Sequence, residues 1–154
     1  MSLVRRIARP LLASIFITEG IDTLRHPDMR VARAEPALEK VKQMAEPLGV
    51  SIDAQTAVRI NGAVMTVAGG LLAMGKVPRA AATVLSVSLA ATTVVGHPFW
   101  AFKDAENRRT HRKAFARNLV FLGGLLHAAV DTDGKPSLAW RRQHRKEVRA
   151  KNDD

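Results

Sequence analysis

Cysteine is absent from the 154 residues of this sequence. Disulfide bonds, thiol redox chemistry, cysteine-ligated iron–sulfur clusters and zinc ribbons are therefore excluded on this chain. Phosphate-binding loops, dinucleotide fingerprints and nucleophile elbows are missing too, because the glycine pairs at 69–70 and 123–124 lack the preceding strand that such motifs need. Any redox role must therefore use a bound cofactor or a partner protein.

Acidic residues are few: Asp and Glu number 14 against 24 Lys and Arg, which gives a net charge of +10. Such a surplus is typical of nucleic-acid binders and of membrane proteins with basic flanks. Here the basic residues lie outside the apolar runs, at the N-terminus, in 103–117 and after residue 140. No basic patch interleaved with aromatics and no recognition helix is visible, so nucleic acid is not an expected partner.

Formal charge is missing altogether from the stretch Ala80–Phe102. As a helix this stretch would extend about 34 Å, enough to cross a hydrocarbon core of roughly 30 Å. Its polar groups are mostly Ser and Thr, whose hydroxyls can bond to carbonyls of their own helix and are therefore tolerated in lipid. The pattern predicts a membrane-spanning helix.

Three further helices are predicted around this stretch. The first covers about 7–25 with Pro10 in its first turn, where proline is tolerated. The second covers 54–75 with Asp53 as its N-cap, the third 80–101, and the fourth 115–130 after a basic loop. Apolar residues at helical spacing also predict an amphipathic helix at 36–48. We therefore expect an all-α, integral membrane, antiparallel four-helix bundle in residues 1–140, with the amphipathic helix in its first loop and a basic tail at 141–154.

Polar side chains collect in one half of this predicted bundle. The ends of helices one and three lie beside the starts of helices two and four, so polar residues near those ends share one membrane half. Ionisable groups inside a membrane are costly unless paired, which makes such a cluster either a structural network or a ligand site. A network would pair Glu19 with Arg59, whereas a ligand site would suit a quinone head group. The candidate binding residues are Glu19, Asp22, Arg59, Asn61, His97, Trp100 and Asn118.

Two other features have simpler interpretations. Phe99 and Trp100 are expected to form part of an aromatic belt at head-group level. His127 and Asp131 are one turn apart in the other membrane half, but two residues do not make a metal site. No metal site and no catalytic residue are predicted.

Four segments carry a resemblance to a known family. They are RPLLASIFITEGIDTLRHP, RINGAVMTVAGGLLAMGKVPRAAA, GHPFWAF and FARNLVFLGGLLHAAVDTDGKPSLAWR, which together cover most of the chain from Arg9 to about Arg141. In this order and spacing the sequence resembles the DoxX family of small bacterial membrane proteins, and within it the actinobacterial branch.

The resemblance implies a four-helix protein of the cytoplasmic membrane with both termini inside the cell. It also implies a subunit or anchor in a redox or oxidative-stress assembly, in which this chain is at most a non-catalytic or quinone-binding subunit. The alternative is a non-catalytic scaffold whose basic loops and tail bind anionic lipid or an acidic partner. The expected partners are the lipid bilayer, redox proteins and further copies of the chain.

Overall fold

Four long helices make up most of the computed structural model, which describes residues 3–32 and 53–131. We name them α1 (Leu3–Arg25), α2 (Ala54–Ala73), α3 (Pro78–Gly96) and α4 (Ala105–Val130), and a 3₁₀ helix at Phe99–Ala101 lies between α3 and α4. Residues 28–32 are also helical. The described ranges contain no β-strand, so the all-α prediction is confirmed. The amphipathic helix predicted at 36–48 and the tail from 141 lie outside the described residues.

The four helices run alternately up and down. Gly20 of α1 lies against Gly62 of α2, and Ile17, which precedes Gly20, lies against Gly69, which follows Gly62. The two helices are therefore antiparallel. The contacts between α3 and α4 reverse in the same way, from Asn118 beside Thr93 to the carbonyl of Ala129, which accepts a hydrogen bond from Arg79. Helix α4 also packs on α1, where Gly124 lies against Leu12 and Phe121 against Phe16, so the helices close into a ring.

The helix ends differ from those predicted at three places. Helix α1 begins at Leu3, so Pro10 lies inside it rather than in its first turn. Helix α3 ends at Gly96, because Pro98 disfavours helical geometry at His97 and cannot donate a backbone hydrogen bond. Helix α4 begins at Ala105, so most of the expected basic loop is helical.

The turn between α2 and α3 is as tight as predicted. Gly75 has a φ of 69°, and the amide of Lys76 donates to the carbonyl of Leu71 at 2.9 Å. This is a Schellman motif, in which a residue with left-handed backbone geometry ends the helix, and glycine adopts that geometry without steric cost. The predicted N-cap of α2 is also confirmed, since the Asp53 carboxylate accepts from the amides of Gln55 and Thr56.

A buried core runs through the middle of the bundle. It consists mainly of small and branched residues, namely Ala13, Phe16, Met65, Ala68, Leu72, Ala81, Ala82, Leu85, Leu89 and Leu125. Large apolar side chains also point outward along the helices, among them Val67, Val87 and Val120. An apolar exterior around a small-residue core is what a bundle surrounded by lipid requires.

Several hydroxyl groups along the helices are hydrogen-bonded within their own helix. Thr83, Ser86 and Thr92 each donate to the carbonyl four residues earlier, at 2.8–2.9 Å. The predicted bonding of Ser and Thr hydroxyls to carbonyls of their own helix is therefore confirmed for these three side chains. Two helical stretches, Ala54–Ala73 and Pro78–Ala101, are long and apolar enough to cross a membrane, and only a third of each lies buried inside the bundle.

At the end of the bundle where α1 begins, ion pairs join α1 to the end of α4. The Asp131 carboxylate accepts from Arg5 at 2.9 Å and from Arg9 at 3.3 Å, and Arg9 is only 7% exposed. Asp131 therefore takes part in ion pairs that hold α1 and α4 together. The candidate site lies at the opposite end of the bundle.

Candidate functional site

A cavity of about 630 Å³ lies between the four helices at the end where α1 terminates. Each helix contributes to its wall, and Arg30 from the segment after α1 contributes as well. Its volume falls in the range of roughly 300–1,000 Å³ that is typical of small-molecule sites. The lining residues are Ile15, Phe16, Glu19, Thr23, Arg30, Ala57, Val58, Asn61, Met65, Leu89, Ala91, Thr92, Val95, Gly96, His97, Arg117, Asn118 and Phe121.

The inner part of the cavity is apolar. Phe16 and Phe121 meet edge to face there, with ring centroids 6.4 Å apart, and Met65 and Leu89 belong to the buried core. These side chains offer contact area to a ring or an aliphatic chain but no hydrogen-bonding group other than the weak acceptor sulfur of Met65.

Two asparagines line the cavity nearer its polar end. The Oδ1 of Asn61 accepts from the Ser88 hydroxyl at 2.6 Å, which joins α2 to α3. The Nδ2 of Asn118 donates to the Thr93 hydroxyl at 3.0 Å, which joins α3 to α4. In each side-chain amide, one polar group thus makes a hydrogen bond between two helices of the bundle. The other side of Asn61 carries only a weak contact from Nδ2 to the sulfur of Met65 at 3.5 Å, so this N–H group is the better placed to bond a ligand.

An ion-pair cluster borders the cavity at the end of α1. Arg30 donates to Glu19 at 2.8 Å and to Asp22 at 3.0 Å, and His26 lies 3.2 Å from the other oxygen of Asp22. Burial alone would lower the pKa of Arg30, but the hydrogen bonds to Glu19 and Asp22 outweigh it and raise this pKa above its ordinary value. Arg30 therefore stays charged, and it shares its single positive charge between Glu19 and Asp22.

A histidine pair occupies the wall formed by α3 and α4. The Nδ1 atoms of His97 and His111 are 3.4 Å apart, and the ring of Phe102 stacks on His111 with centroids 4.3 Å apart. A hydrogen bond between these atoms requires one Nδ1 to carry a proton and the other to accept it. His97 lines the cavity, while His111 does not.

Arg117 gives the cavity wall a positive charge. It is exposed, and no carboxylate of the described residues lies within ion-pair distance of it. The guanidinium of Arg117 has only N–H donors, so it favours a ligand group that accepts hydrogen bonds, such as a carbonyl or an oxyanion.

The structure brings four of the seven candidate residues to this cavity: Glu19, Asn61, His97 and Asn118. Asp22 does not line the cavity, but it accepts a hydrogen bond from Arg30, which does. The predicted pairing of Glu19 with Arg59 is wrong, because the chain reverses after Pro27 and brings Arg30 to Glu19, while Arg59 is exposed.

Trp100 lies outside the cavity in an aromatic cluster. Its ring meets Phe99 and Phe115 edge to face, with centroids 5.1 and 6.1 Å apart. This arrangement agrees with the aromatic-belt interpretation rather than with a role in binding. The described part of the chain holds no group of three side chains able to bind a metal ion.

Two residues of this region were missed from the sequence. Arg30 lies beyond the predicted end of the first helix at residue 25, and only the reversal of the chain after Pro27 places it against α1. His111 lies in the predicted basic loop, but the structure has a helix at Ala105–Val130, which places His111 one turn before Phe115 and facing the end of α3.

Comparison with known proteins identifies the family of this chain. The DoxX family model matches residues 4–98, which is more than half of the chain. The chain belongs to the DoxX family. The match includes α1, α2, α3 and the His97–Pro98 pair, so the DoxX domain covers three of the four cavity walls. No curated protein and no solved structure matches the chain.

Family and structure together establish the environment. DoxX is a family of membrane proteins, and this member is all-helical, with two apolar helical stretches of spanning length. The protein is therefore an all-α integral membrane protein surrounded by a lipid bilayer.

Proposed function

We propose that this DoxX protein is a membrane subunit of a redox assembly and that it binds a quinone in the cavity between its helices. The supporting observation is the division of the cavity, which has aromatic and aliphatic walls on one side and Asn61, His97 and Arg117 on the other. A quinone has the same division, with two carbonyl oxygens on a ring and an apolar tail. The assembly would lie in the cytoplasmic membrane, with both termini of the chain inside the cell.

The residues present fit the quinone in distinct roles. Asn61 and Arg117 would donate hydrogen bonds to a carbonyl oxygen, since both carry N–H groups that have no strong partner among the described residues. His97, paired with His111, would hold a proton beside the head group. Phe16 and Phe121 would contact the ring or tail. A bound quinone supplies two-electron, two-proton redox chemistry, and because the chain has no cysteine, electrons would come from a partner protein.

Binding of decylubiquinone to the purified protein in detergent tests this proposal by calorimetry. We expect saturable binding, and we expect Asn61→Leu and His97→Ala each to weaken it about tenfold through loss of one hydrogen bond in a buried site. Glu19→Gln should also weaken it, because Arg30 would lose a partner and the charge of the wall would change.

The control is Arg59→Gln, which removes an exposed charge that does not line the cavity, and its affinity should equal that of the unmodified protein. If decylubiquinone does not bind, or binds equally to all four variants, the cavity is not its site. That result would favour the other predicted function, a non-catalytic scaffold that contacts lipid or protein through its basic segments.

A further inference from the structure

Four cations occupy one face of the first half of α4. Arg108, Arg109, Arg112 and Lys113 are all exposed, and at 100° per residue they fall within an arc of about 140° over about one and a half helical turns. We call these four residues the basic face. The side chain of Asp104 caps the helix by accepting from the amide of Asn107 at 2.9 Å, so the cations lie on an ordered helix.

The folded protein does not balance these charges within the part that the structure describes. No ion pair involves any of the four, and Arg108 and Arg112, like Arg109 and Lys113, are like charges at i and i+4. Such pairs are destabilising on a helix. An external anion that bridged them would remove this repulsion.

The aromatic cluster indicates the depth of this face in the membrane. Trp100, which is 53% exposed, packs against Phe115, and rings of this kind lie at the head-group boundary. Arg112 and Arg108 precede Phe115 by one and two turns, so they lie about 4.5 and 10.5 Å beyond it along the helix. The head-group layer on each side of a bilayer is roughly 5–8 Å thick. The basic face therefore lies at and just above the lipid phosphates.

We infer that the basic face binds the phosphate groups of acidic phospholipids in the surrounding bilayer. The cations are at the height of those phosphates, which favours lipid over a soluble acidic protein or nucleic acid. Arginine suits this role because its planar guanidinium can donate two hydrogen bonds to one phosphate. This binding is independent of the cavity, because none of the four side chains lines it.

The test is a titration of dioctanoyl phosphatidylglycerol into the full-length protein in a nonionic detergent, followed by native mass spectrometry. Phosphatidylglycerol should bind more tightly than dioctanoyl phosphatidylcholine. Each cation near an acidic surface contributes about a fivefold gain in affinity. The variant R108Q/R109Q/R112Q/K113Q should therefore lose roughly tenfold or more in affinity for phosphatidylglycerol, with little change for phosphatidylcholine. Because glutamine favours helices, circular dichroism should stay unchanged.

The matched control is R141Q/R142Q/R145Q/K146Q, which removes the same charge from the tail and should keep the lipid preference. An equal loss in both variants would overturn the inference, since net charge rather than this face would then explain binding. The inference would also be overturned if the unmodified protein bound phosphatidylglycerol and phosphatidylcholine equally but bound polyglutamate or an oligonucleotide. Quinone binding by the basic-face variant should stay normal, which separates this test from that of the cavity.

Discussion

At the scale of single residues, Gly20 sets the distance between α1 and α2. A Cβ atom added to Gly20 would lie 2.8 Å from the carbonyl oxygen of Gly62 and 2.8 Å from the amide nitrogen of Thr66. Backbone atoms cannot move aside as a flexible side chain can, so the helices would have to separate. This close approach also brings Glu19 and Asn61 to the same cavity.

Gly20→Ala should therefore destabilise the protein by roughly 1–3 kcal/mol, the usual cost of overpacking. Thermal unfolding in detergent would show a lower Tm. Gly70→Ala is the matched control, because a Cβ there meets nothing within 4 Å and alanine favours a helix more than glycine does. Its Tm should be equal or higher. Equal losses in the two variants would show that the contact at Gly20 is not tight.

At the scale of elements, the N-terminal half of α4 depends on its cap. Asp104 accepts from the amide of Asn107, and the polar turns that follow have few apolar contacts with other helices to hold them. Asp104→Ala should remove about 1 kcal/mol of local stability. Hydrogen exchange of the amides in 105–110 should then become about fivefold faster.

Asp53→Ala provides the comparison, because it removes the equivalent cap from α2. It should accelerate exchange at the start of α2 and leave 105–110 unaffected. If exchange in 105–110 does not respond to Asp104→Ala, the polar turns are held by something other than their cap.

The same element shows what could be predicted from the sequence. Uncharged runs longer than 15 residues predicted α2 and α3, since hydropathy reports directly on a lipid-facing helix. The charged turns of α4 carry no such signal, so the sequence predicts a loop where the structure has a helix capped by Asp104. Four cavity residues were predicted because antiparallel order alone places helix ends side by side. The pairing of Glu19 with Arg30 could not be predicted from the sequence, because it depends on how the chain folds back after α1.

At the scale of the whole molecule, the number of membrane crossings depends on α1 and α4. Only two described stretches meet the length and hydropathy expected of a spanning helix, since α1 and α4 carry charges towards their ends. Yet α1 packs along α2 from Gly20 beside Gly62 to Ala13 beside Gly69. Because α1 follows α2 over this length, it must reach the same depth in the bilayer. We therefore predict four crossings rather than two.

Single-cysteine labelling can decide this, because the chain has no cysteine of its own. With a membrane-impermeant maleimide on intact cells, Asp28→Cys and Lys103→Cys should react from one side and Lys76→Cys from the other. These three sites behave alike for two or four crossings, so they serve as controls for α2 and α3. The decisive site is Ser2→Cys. Four crossings put it on the side of Lys76, because α1 then carries the chain across, whereas labelling from the side of Asp28 would contradict the prediction and place α1 on the membrane surface.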